Sequence, residues 1–545
     1  MKLLSEIKVK IGYNSNDVLL AIRKKYNIFA DEIIKWEIVK ESIDARKKPD
    51  VFMKLNIAVD VKKQANKKVQ KLNDIFPNHS GFDEEKINFK GESPVIVGFG
   101  PAGMFAGLYL AKKGLKPIIL EQGKSVYERQ KDVDEFWNER KLNEKSNVQF
   151  GEGGAGTFSD GKLASNVANE YTKKVINEFV LNGAPEDIAY SYAPHIGSDK
   201  LKEVVVNIRN KIESLGGKVL FNTEFVDYEL KSGEISAVKA VDLRNNEGFK
   251  IETSALILAV GHSATNVYKL LKNKGICLKQ KPFAIGVRIE QSQEMINASQ
   301  YGEENKNLPA SNYKLAVHLD SGRSVFTFCN CPGGVVVASS SDKETIVTNG
   351  MSYRARDGKN ANAALLVNVC PEDYDNGDVL DGIAFQQKYE KLAFELGGLN
   401  YNAPIEKVKD FLVGRKSGFD ESMNDVQATY RPNVTFADLS KCLPDFATES
   451  LKEALPLLDK KVKGFSNGEN LLIGVETRSS APVQILRDEN LTNGIVGLYS
   501  AGEGAGFAGG ITSSGADGVK IAEKVVEFLT RKWKIKFNKI ACKYW

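Results

Sequence analysis

The chain has 545 residues, of which 42% are hydrophobic and 27% are charged, so it is long enough for about three to four domains with a sizeable core. Its 47 glycines and 16 prolines are near ordinary usage, which excludes collagen-like and wholly disordered chains. No apolar run approaches the roughly 20 residues that cross a bilayer, and Glu6, Lys8 and Lys10 interrupt the first segment before a signal-peptide core forms, so we expect a soluble, cytoplasmic protein.

The cysteines and the charges are both informative in their distribution. Six cysteines, none in a CxxC pair, do not make the disulfide framework of a small secreted domain, and we expect reduced thiols. Residues 1–90 contain 19 Lys and Arg against 13 Asp and Glu, so the net charge of +5 is concentrated in this segment. An anionic partner and an ordinary solvated face would both account for it.

Residues 1–80 have the pattern of a strand, a helix, a pair of strands and a second helix, which predicts a small basic α+β module over residues 1–85. A ferredoxin-like arrangement is the natural candidate, and the polar stretch Pro77–Ser93 is interpreted as a linker. The predicted elements are a strand at Ile7–Gly12, a helix capped by Asn16 or Asp17 that runs through Tyr26, a basic loop at Ser42–Asp50, a strand at Phe52–Val61 and a helix at Lys62–Phe76.

A glycine motif lies between a predicted strand, Pro94–Val97, and a predicted helix, Met104–Lys113. In the intervening GFGPAG, Gly98 permits a tight turn, Gly100 lets the backbone approach a pyrophosphate, and Gly103 lets helix and strand pack closely. The helix N-terminus would then face the phosphates with its free N–H groups. This context predicts nucleotide binding.

A second predicted strand, Pro117–Leu120, ends at Glu121 and completes a βαβ unit in fewer than 30 residues. The carboxylate of Glu121 would bond both ribose hydroxyls of an adenosine and would repel a 2′-phosphate. This unit alone does not separate NAD from FAD.

Two distant segments favour FAD. Ala255–Gly261, ALILAVG, is an apolar strand that returns beside the first βαβ unit, with Gly261 at its end. Gly497–Glu503 is a strand that delivers Gly-Glu before a glycine-rich turn, and a helix follows from about Ile511. The carboxylate would hold ribitol or phosphate oxygens, and the helix N-terminus near Gly509–Thr512 would stabilise the negative charge of reduced flavin.

These motifs resemble the FAD domain of the two-dinucleotide-binding-domain flavoprotein superfamily. Four further segments resemble the uncharacterised bacterial FAD-dependent dehydrogenases, also called NAD(FAD)-utilising dehydrogenases: VQFGEGGAGTFSDGKL, FCNCPGG, ETRSSAPVQILRD and AGEGAGFAGGITSSGADG. The resemblance covers essentially the whole chain. It implies that Gly98, Gly100, Gly103 and Glu121 bind the ADP half, that Gly153, Gly154, Gly156 and Thr157 line the pyrophosphate or flavin, and that Gly502, Glu503, Gly509, Gly510 and Ile511 meet the ribitol and ring.

The predicted fold class is therefore α/β, with a discontinuous Rossmann-like FAD-binding domain, an inserted α+β substrate domain and the amino-terminal module. The FAD domain is placed at residues 93–274 and 475–530, the insert at 275–474 and a tail at 531–545. Within the insert, strands are predicted at Ala284–Glu290, Val335–Ser339 and Ala364–Val369, and helices at Ile383–Leu396 and Glu449–Leu458.

Two departures from the superfamily constrain the chemistry. The chain lacks the CxxxxC or CxxC pair of its disulfide reductases, and Cys329 and Cys331 are too close in sequence for an ordinary disulfide. There is only one GxGxxG, so reduced nicotinamide would have to bind transiently, or the substrate itself would supply the electrons.

Four residues are candidates for catalysis. Cys331 would place a thiol beside the flavin, and Arg288 and Arg478 would clamp the carboxylate or phosphate of an anionic small-molecule substrate. Lys162 would sit near flavin N5 or would neutralise the pyrophosphate. Local packing accounts for His262 better than a covalent FAD link, and no ligand spacing predicts a metal site.

The leading hypothesis is an oxidoreductase in which non-covalently bound FAD exchanges hydride with a substrate held by the insert. A flavin-dependent RNA-modifying or partner-tethered enzyme and a non-catalytic flavin-binding redox sensor stay open as alternatives. The amino-terminal module lacks an RRM-type aromatic signature, which weighs against nucleic acid.

Overall fold

The computed structural model describes residues 1–48, 50–75, 77, 79–164, 169–302, 308–418 and 426–541. The first unit is a three-stranded antiparallel sheet in the order β1-β3-β2 with a helix packed on it. Its apolar core includes Leu4, Ile22 and Ile57, all fully buried. Its elements are β1 (Lys2–Val9), α1 (Ser15–Tyr26), β2 (Ile33–Lys47), β3 (Asp50–Val61) and the short α2 (Asn66–Val69).

Several details of this module differ from the prediction. Asn14, not Asn16 or Asp17, caps α1, because its side chain accepts the N–H groups of both those residues. Ser42–Asp50 was predicted as a loop but lies largely in β2, which pairs with β3 along its length.

The helix predicted at Lys62–Phe76 is wrong for most of its length, since only Asn66–Val69 is α-helical after a 3₁₀ turn; Phe76 itself lies outside the described residues. The chain leaves the helix because backbone groups of Asn73 and Ile75 hydrogen-bond to the start of β1. These bonds replace the hydrogen bonds that the same groups would form within a helix. The described strands also lack the fourth strand of a complete ferredoxin-like sheet.

A five-stranded parallel sheet forms the centre of the next unit. From one edge to the other, its strands are β22 (Leu498–Ser500), β10 (Leu256–Leu258), β4 (Val95–Val97), β5 (Ile118–Leu120) and β6 (Lys218–Leu220). Its strands are short and almost wholly apolar, as expected for a sheet that is buried on both faces. The elements of the first part are β4 (Val95–Val97), α3 (Pro101–Lys112), β5 (Ile118–Leu120), α4 (Val126–Glu139), α5 (Glu170–Leu181), α6 (Ser198–Ser214), β6 (Lys218–Leu220), the meander β7 (Thr223–Lys231), β8 (Glu234–Asp242) and β9 (Glu247–Glu252), β10 (Leu256–Leu258) and α7 (Thr265–Asn273).

The inserted unit is built on a seven-stranded sheet in the order β13-β14-β17-β12-β20-β18-β19, antiparallel except for the β18–β19 pair. The strands and helices predicted within it are confirmed with small changes of boundary. Its elements are β11 (Leu278–Gln280), β12 (Phe283–Ser292), α8 (Gln293–Tyr301), β13 (Ala316–His318), β14 (Ser324–Cys331), β15 (Val335–Ala338), β16 (Thr348–Met351), β17 (Asn360–Val369), α9 (Asp381–Leu396), β18 (Ala403–Lys407), α10 (Val408–Val413), β19 (Val434–Phe436), α11 (Asp445–Asp459) and β20 (Leu471–Glu476).

The chain then returns to the parallel sheet through β21 (Val483–Ile485), β22 (Leu498–Ser500) and α12 (Ile511–Ala541). The helix begins where the sequence predicted, and it continues through residues 531–541, which were assigned to a tail. Among the residues that the structure describes, none of the helices combines the length and the apolar character that a membrane crossing requires.

The stretch interpreted as a linker packs on the parallel-sheet unit. Phe82 is 4% exposed and meets Phe105 and Tyr109 of α3 edge-to-face, at centroid distances of 6.2 and 5.7 Å. The backbone N–H of Phe82 donates to Glu178, whose carboxylate forms a buried ion pair with Lys112. The chain therefore joins this unit before residue 85.

Two truncations test this boundary. Removal of residues 1–79 is expected to leave flavin bound and the thermal stability of the remainder nearly unchanged. Removal of residues 1–85 also deletes Phe82 and is expected to lower the stability of the remainder. Loss of a buried phenylalanine side chain costs about 3–5 kcal/mol. Flavin absorbance and thermal unfolding of the two proteins are the measurements, and loss of flavin in the shorter deletion would show that the module itself supports the cofactor site.

Candidate functional site

A cavity of about 310 Å³ lies at the carboxyl ends of β4, β5, β10 and β22, the edge at which open α/β sheets bind ligands. It reaches from the glycine loop after β4 to the inserted sheet. The predicted site residues that line it are Gly98, Gly100, Glu121, Gly154, Gly156, Lys162, Gly261, Arg478, Glu503, Gly509, Gly510 and Ile511. Those that do not are Gly103, Gly153, Thr157, Gly502, Arg288 and Cys331.

The three glycines of the first motif have separate roles. Gly98 has φ +97°, and a Cβ there would overlap the carbonyl oxygen of Ala259, so only glycine fits the turn. A Cβ on Gly103 would overlap the carbonyl oxygen of Gly98, which explains its packing role outside the cavity. Gly100 caps α3 and has no atom nearer than 3.7 Å to such a Cβ, so its backbone is open to a ligand.

Glu121 is 5% exposed and is anchored by backbone groups. Its Oε2 accepts the N–H of Phe99 at 2.8 Å, and its Oε1 accepts the N–H of Gly123 at 2.9 Å. The carboxylate thus stiffens the glycine loop and also presents its remaining lone pairs to the cavity, where ribose hydroxyls can donate to them.

A second helix N-terminus, that of α12, meets the same cavity. Gly509 and Gly510 precede α12, and a Cβ on either would meet no atom within 3.7 Å, so their backbone is open to the cavity. Gly261, with φ +72°, is equally open. The N-termini of α3 and α12 therefore both direct their positive dipole ends at one space, an arrangement suited to an anionic dinucleotide.

The resemblance also implied a ligand-binding role for Gly153, Gly154, Gly156 and Thr157, but not all of them reach the cavity. Gly154 and Gly156 line the cavity, while Gly153 and Thr157 do not. The Thr157 hydroxyl donates to the carbonyl of Glu152 at 3.1 Å and so supports the turn from behind.

Gly502 contributes by packing. A Cβ on Gly502 would lie 2.7 Å from the Cβ of Ala102, so glycine is required where β22 ends against the first turn of α3. The next residue, Glu503, is the group that faces the cavity.

Burial raises the pKa of Glu503 from its ordinary value of 4.5 to about 7, and the positive charge of Lys281 opposes that shift. Folding therefore takes up a proton at this carboxyl between about pH 4.5 and 7, and the stability that it contributes falls as the pH rises through this range.

The variant Glu503→Gln removes this dependence. Its free energy of unfolding, measured on protein freed of cofactor, is expected to fall less than that of the wild type between pH 5 and pH 8, by about 2–3 kcal/mol. Urea unfolding at both pH values measures the difference, with the exposed Glu128→Gln as the control. Parallel pH profiles of the wild type and Glu503→Gln would contradict the assignment.

The structure corrects the predicted anion clamp. Arg288 is fully buried, and its guanidinium donates to both oxygens of Glu476 at 2.6 and 2.8 Å and to Asn362 at 2.7 Å. It does not line the cavity, and its donors are already used, so it holds the wall of the site together.

Arg478 lines the cavity but is neutralised by two carboxylates. Its guanidinium donates to Glu390 at 2.7 and 2.8 Å and to Asp342 at 2.6 Å, and Nη1 donates to Ser341 at 2.6 Å and Ser263 at 3.1 Å. These partners supply the negative charge that a substrate anion would otherwise supply.

Lys162 occupies the wall between the glycine-rich turn and the inserted sheet. Its ammonium group donates to the carbonyl oxygen of Asn330, pairs with Asp160 at 3.1 Å and lies 4.0 Å from the sulfur of Cys331. Burial opposes its charge, but the neighbouring Cys331 and Asp160 raise the pKa of Lys162 overall, so it is a cation of the site.

The placement of the two cysteines differs from the prediction. Cys331 is fully buried and does not line the cavity, whereas Cys329 does. His262 also lines the cavity, and its Nδ1 lies 2.9 Å from the hydroxyl of Ser263, consistent with the predicted local packing. Burial and the charge of Arg478 lower the pKa of His262 to about 3, so its ring is neutral.

The cavity is also lined by residues that the sequence did not predict as site residues, although some of them lie inside the predicted motifs. Those on the sheet side are Gln149, Phe150, Ser159, Asp160 and Ser514, and those from the insert are Phe328, Cys329, Asn349 and Glu476. The motif segments VQFGEGGAGTFSDGKL and FCNCPGG contained the signal for most of them, while Asn349 had none because only the folding of β16 brings it to the cavity.

Comparison with known proteins agrees with this geometry. Residues 282–479 match the family described as "FAD-dependent protein, C-terminal domain-like", and residues 1–60 match a domain of unknown function. The Rossmann-like parallel sheet, the two helix N-termini and this match define an FAD-binding flavoprotein, and the residues around the cavity fit FAD.

The chain is 42% identical over 537 residues to an uncharacterised protein of Clostridium beijerinckii, covering 96% of this chain and 98% of that protein. It belongs to one family with that protein.

Two solved structures are also similar. One is the glycerol-3-phosphate dehydrogenase of Bacillus halodurans complexed with FAD (11% identity, TM-score 0.36, 82% of this chain and 65% of that one). The other is a flavoprotein/dehydrogenase of Cytophaga hutchinsonii (11% identity, TM-score 0.37, 81% and 78%).

Proposed function

We propose that this protein is an FAD-dependent oxidoreductase that transfers a hydride between FAD and a small molecule held against the inserted sheet. The observation that carries the proposal is the extent of the cavity. It begins at Glu121, passes both helix N-termini and ends at Phe328, Cys329 and Asn349 of the insert.

FAD, when bound, supplies the two-electron chemistry of the proposed reaction. The chain's own part is binding and electrostatics. Glu121 would accept hydrogen bonds from the ribose, and the backbone N–H groups before α12 would stabilise negative charge that develops at that end of the cavity. Lys162, which is paired with Asp160, would add positive charge nearby.

The insert would hold the substrate. Its contribution to the wall combines an aromatic face at Phe328 (39% exposed), a thiol at Cys329 and an amide at Asn349. Because both arginines are already paired with carboxylates, we infer a substrate recognised by hydrogen bonds and apolar contact more than by a free cationic clamp.

Anaerobic reduction tests this function. The purified protein is expected to be yellow and to release FAD, not FMN, on acid treatment. NADH, NADPH and a panel of reduced small molecules are then added one at a time, and bleaching of the flavin absorbance identifies the electron donor. Reoxidation by a matching panel identifies the acceptor. A flavin that no donor reduces, although dithionite does, would contradict the proposal and favour a non-catalytic role.

A further inference from the structure

The inserted sheet brings an irregular strand end to the cavity. The pairing of β14 with β17 shifts register between Phe328 and Cys331, so two residues lie in a bulge. Cys329, in this bulge, has φ +43°, a left-handed conformation that costs energy for any residue with a Cβ. Bulges of this kind change the direction of a side chain, and here Cys329 lines the cavity while Cys331 stays buried.

The bulge is held by the same groups that build the cavity wall. Nη1 of Arg288 donates to the carbonyl oxygen of Cys329 at 3.1 Å, and Lys162 bonds the carbonyl of Asn330. A Cβ on Gly350 would overlap the Arg288 guanidinium and lie 2.9 Å from the sulfur of Cys331, so the backbone of β16 closes over the inner cysteine. The strained conformation is therefore fixed by its surroundings.

The charges around the two sulfurs favour one thiolate. The sulfur atoms are 3.9 Å apart, and the single S–H of Cys331 lies within reach of both the Cys329 sulfur and the Cys329 carbonyl oxygen, at 3.3 Å from the latter. The hydrogen bond from Cys331, with the positive charges of Lys162 and Arg288, lowers the pKa of Cys329, and the same contact raises the pKa of Cys331. Both effects favour the proton on the inner sulfur, Cys331, over Cys329.

We propose that Cys329 is a nucleophilic thiolate of the active cavity that forms a covalent bond with an electrophilic carbon of the substrate, such as a carbonyl carbon. This inference extends the proposed function. The Cys329 sulfur supplies both electrons of the new S–C bond, the π pair of the carbonyl moves to its oxygen, and that oxygen takes a proton from water. The step consumes no oxidant or reductant.

Alkylation kinetics test the proposal on the FAD-loaded full chain. Iodoacetamide offers an electrophilic carbon, and proteolysis with mass spectrometry gives the rate at each cysteine between pH 5 and pH 9. Cys277, which is exposed, is the internal reference. At pH 6 Cys329 is expected to react at least tenfold faster than Cys277, with a rate midpoint below the value of about 8.5 of a free cysteine.

Two variants of Lys162 separate charge from structure. Lys162→Met is expected to lower the Cys329 rate at pH 6 at least about tenfold and to move its midpoint upward, because a positive charge that lowers the pKa of Cys329 is lost. Lys162→Arg retains the charge and is expected to restore most of the rate. Equal rates at Cys329 and Cys277, or a wild-type rate in Lys162→Met, would overturn the proposal.

The flavin spectrum of each sample distinguishes a failure of the thiolate proposal from a failure of the proposed function. If Cys329 is unreactive while FAD is bound, and a donor still bleaches the flavin absorbance, the thiolate proposal alone fails. If Cys329 reacts as expected while no donor reduces the flavin, the oxidoreductase proposal alone fails.

Discussion

Replacing Glu121 by alanine is expected to weaken FAD binding at least tenfold. A hydrogen bond to a charged group contributes about 1.5–3 kcal/mol, and each 1.4 kcal/mol is a factor of about ten in affinity. The variant also releases the N–H groups of Phe99 and Gly123, which the carboxylate now accepts, so the glycine loop loses its brace. Both effects act in the same direction.

Equilibrium dialysis of FAD against the unloaded variant measures the loss. Glu128→Ala makes the same change of charge on an exposed turn of α4, where the carboxylate accepts the hydroxyl of Ser125, and it is expected to leave the affinity unchanged. Unaltered FAD affinity in Glu121→Ala would show that this carboxylate is not a ligand of the cofactor.

Replacing Arg288 by methionine is expected to destabilise the fold by about 3–5 kcal/mol. The change leaves the Glu476 carboxylate buried without its partner, and an uncompensated buried charge is costly. Because Glu476 lines the cavity, the same variant is expected to hold FAD less well.

Urea unfolding and flavin content are the two measurements. The double variant Arg288→Met with Glu476→Gln removes the orphaned charge and is expected to recover part of the stability. Arg244→Met breaks an exposed ion pair with Asp242 and is expected to cost at most about 1 kcal/mol. A loss of similar size in Arg244→Met and Arg288→Met would argue against the buried pair as a structural element of the site.

The glycine motifs were informative because their chemistry is local. The turn from a strand through GFGPAG into a helix depends first on residues within the motif, and Gly98 has the positive φ that such a turn demands. The start of α12 at Ile511 followed from a glycine-rich turn for the same reason. Local backbone geometry is encoded within a few residues, so periodicity and turn residues are enough to predict it.

The helix predicted at residues 62–76 shows where prediction from local sequence patterns fails. Residues 62–76 have the composition of a helix, yet the chain turns after Val69 because Asn73 and Ile75 find backbone partners in β1. Those partners are some 70 residues away in the sequence, so no window-based pattern contains them.

The sequence by itself determined the first βαβ unit, the positions of the glycine turns and the presence of Glu121 and Glu503 at strand ends, since each depends on local spacing. Only the tertiary structure decided which charged side chains are free. Arg288 and Arg478 have the same appearance in the sequence as ligand-binding arginines, but Glu476, Glu390 and Asp342 reach them through the pairing of distant strands and helices. The choice of Cys329 over Cys331 as the cavity thiol likewise depends on a one-register shift between β14 and β17, because the bulge determines which of two neighbouring sulfurs faces the cavity.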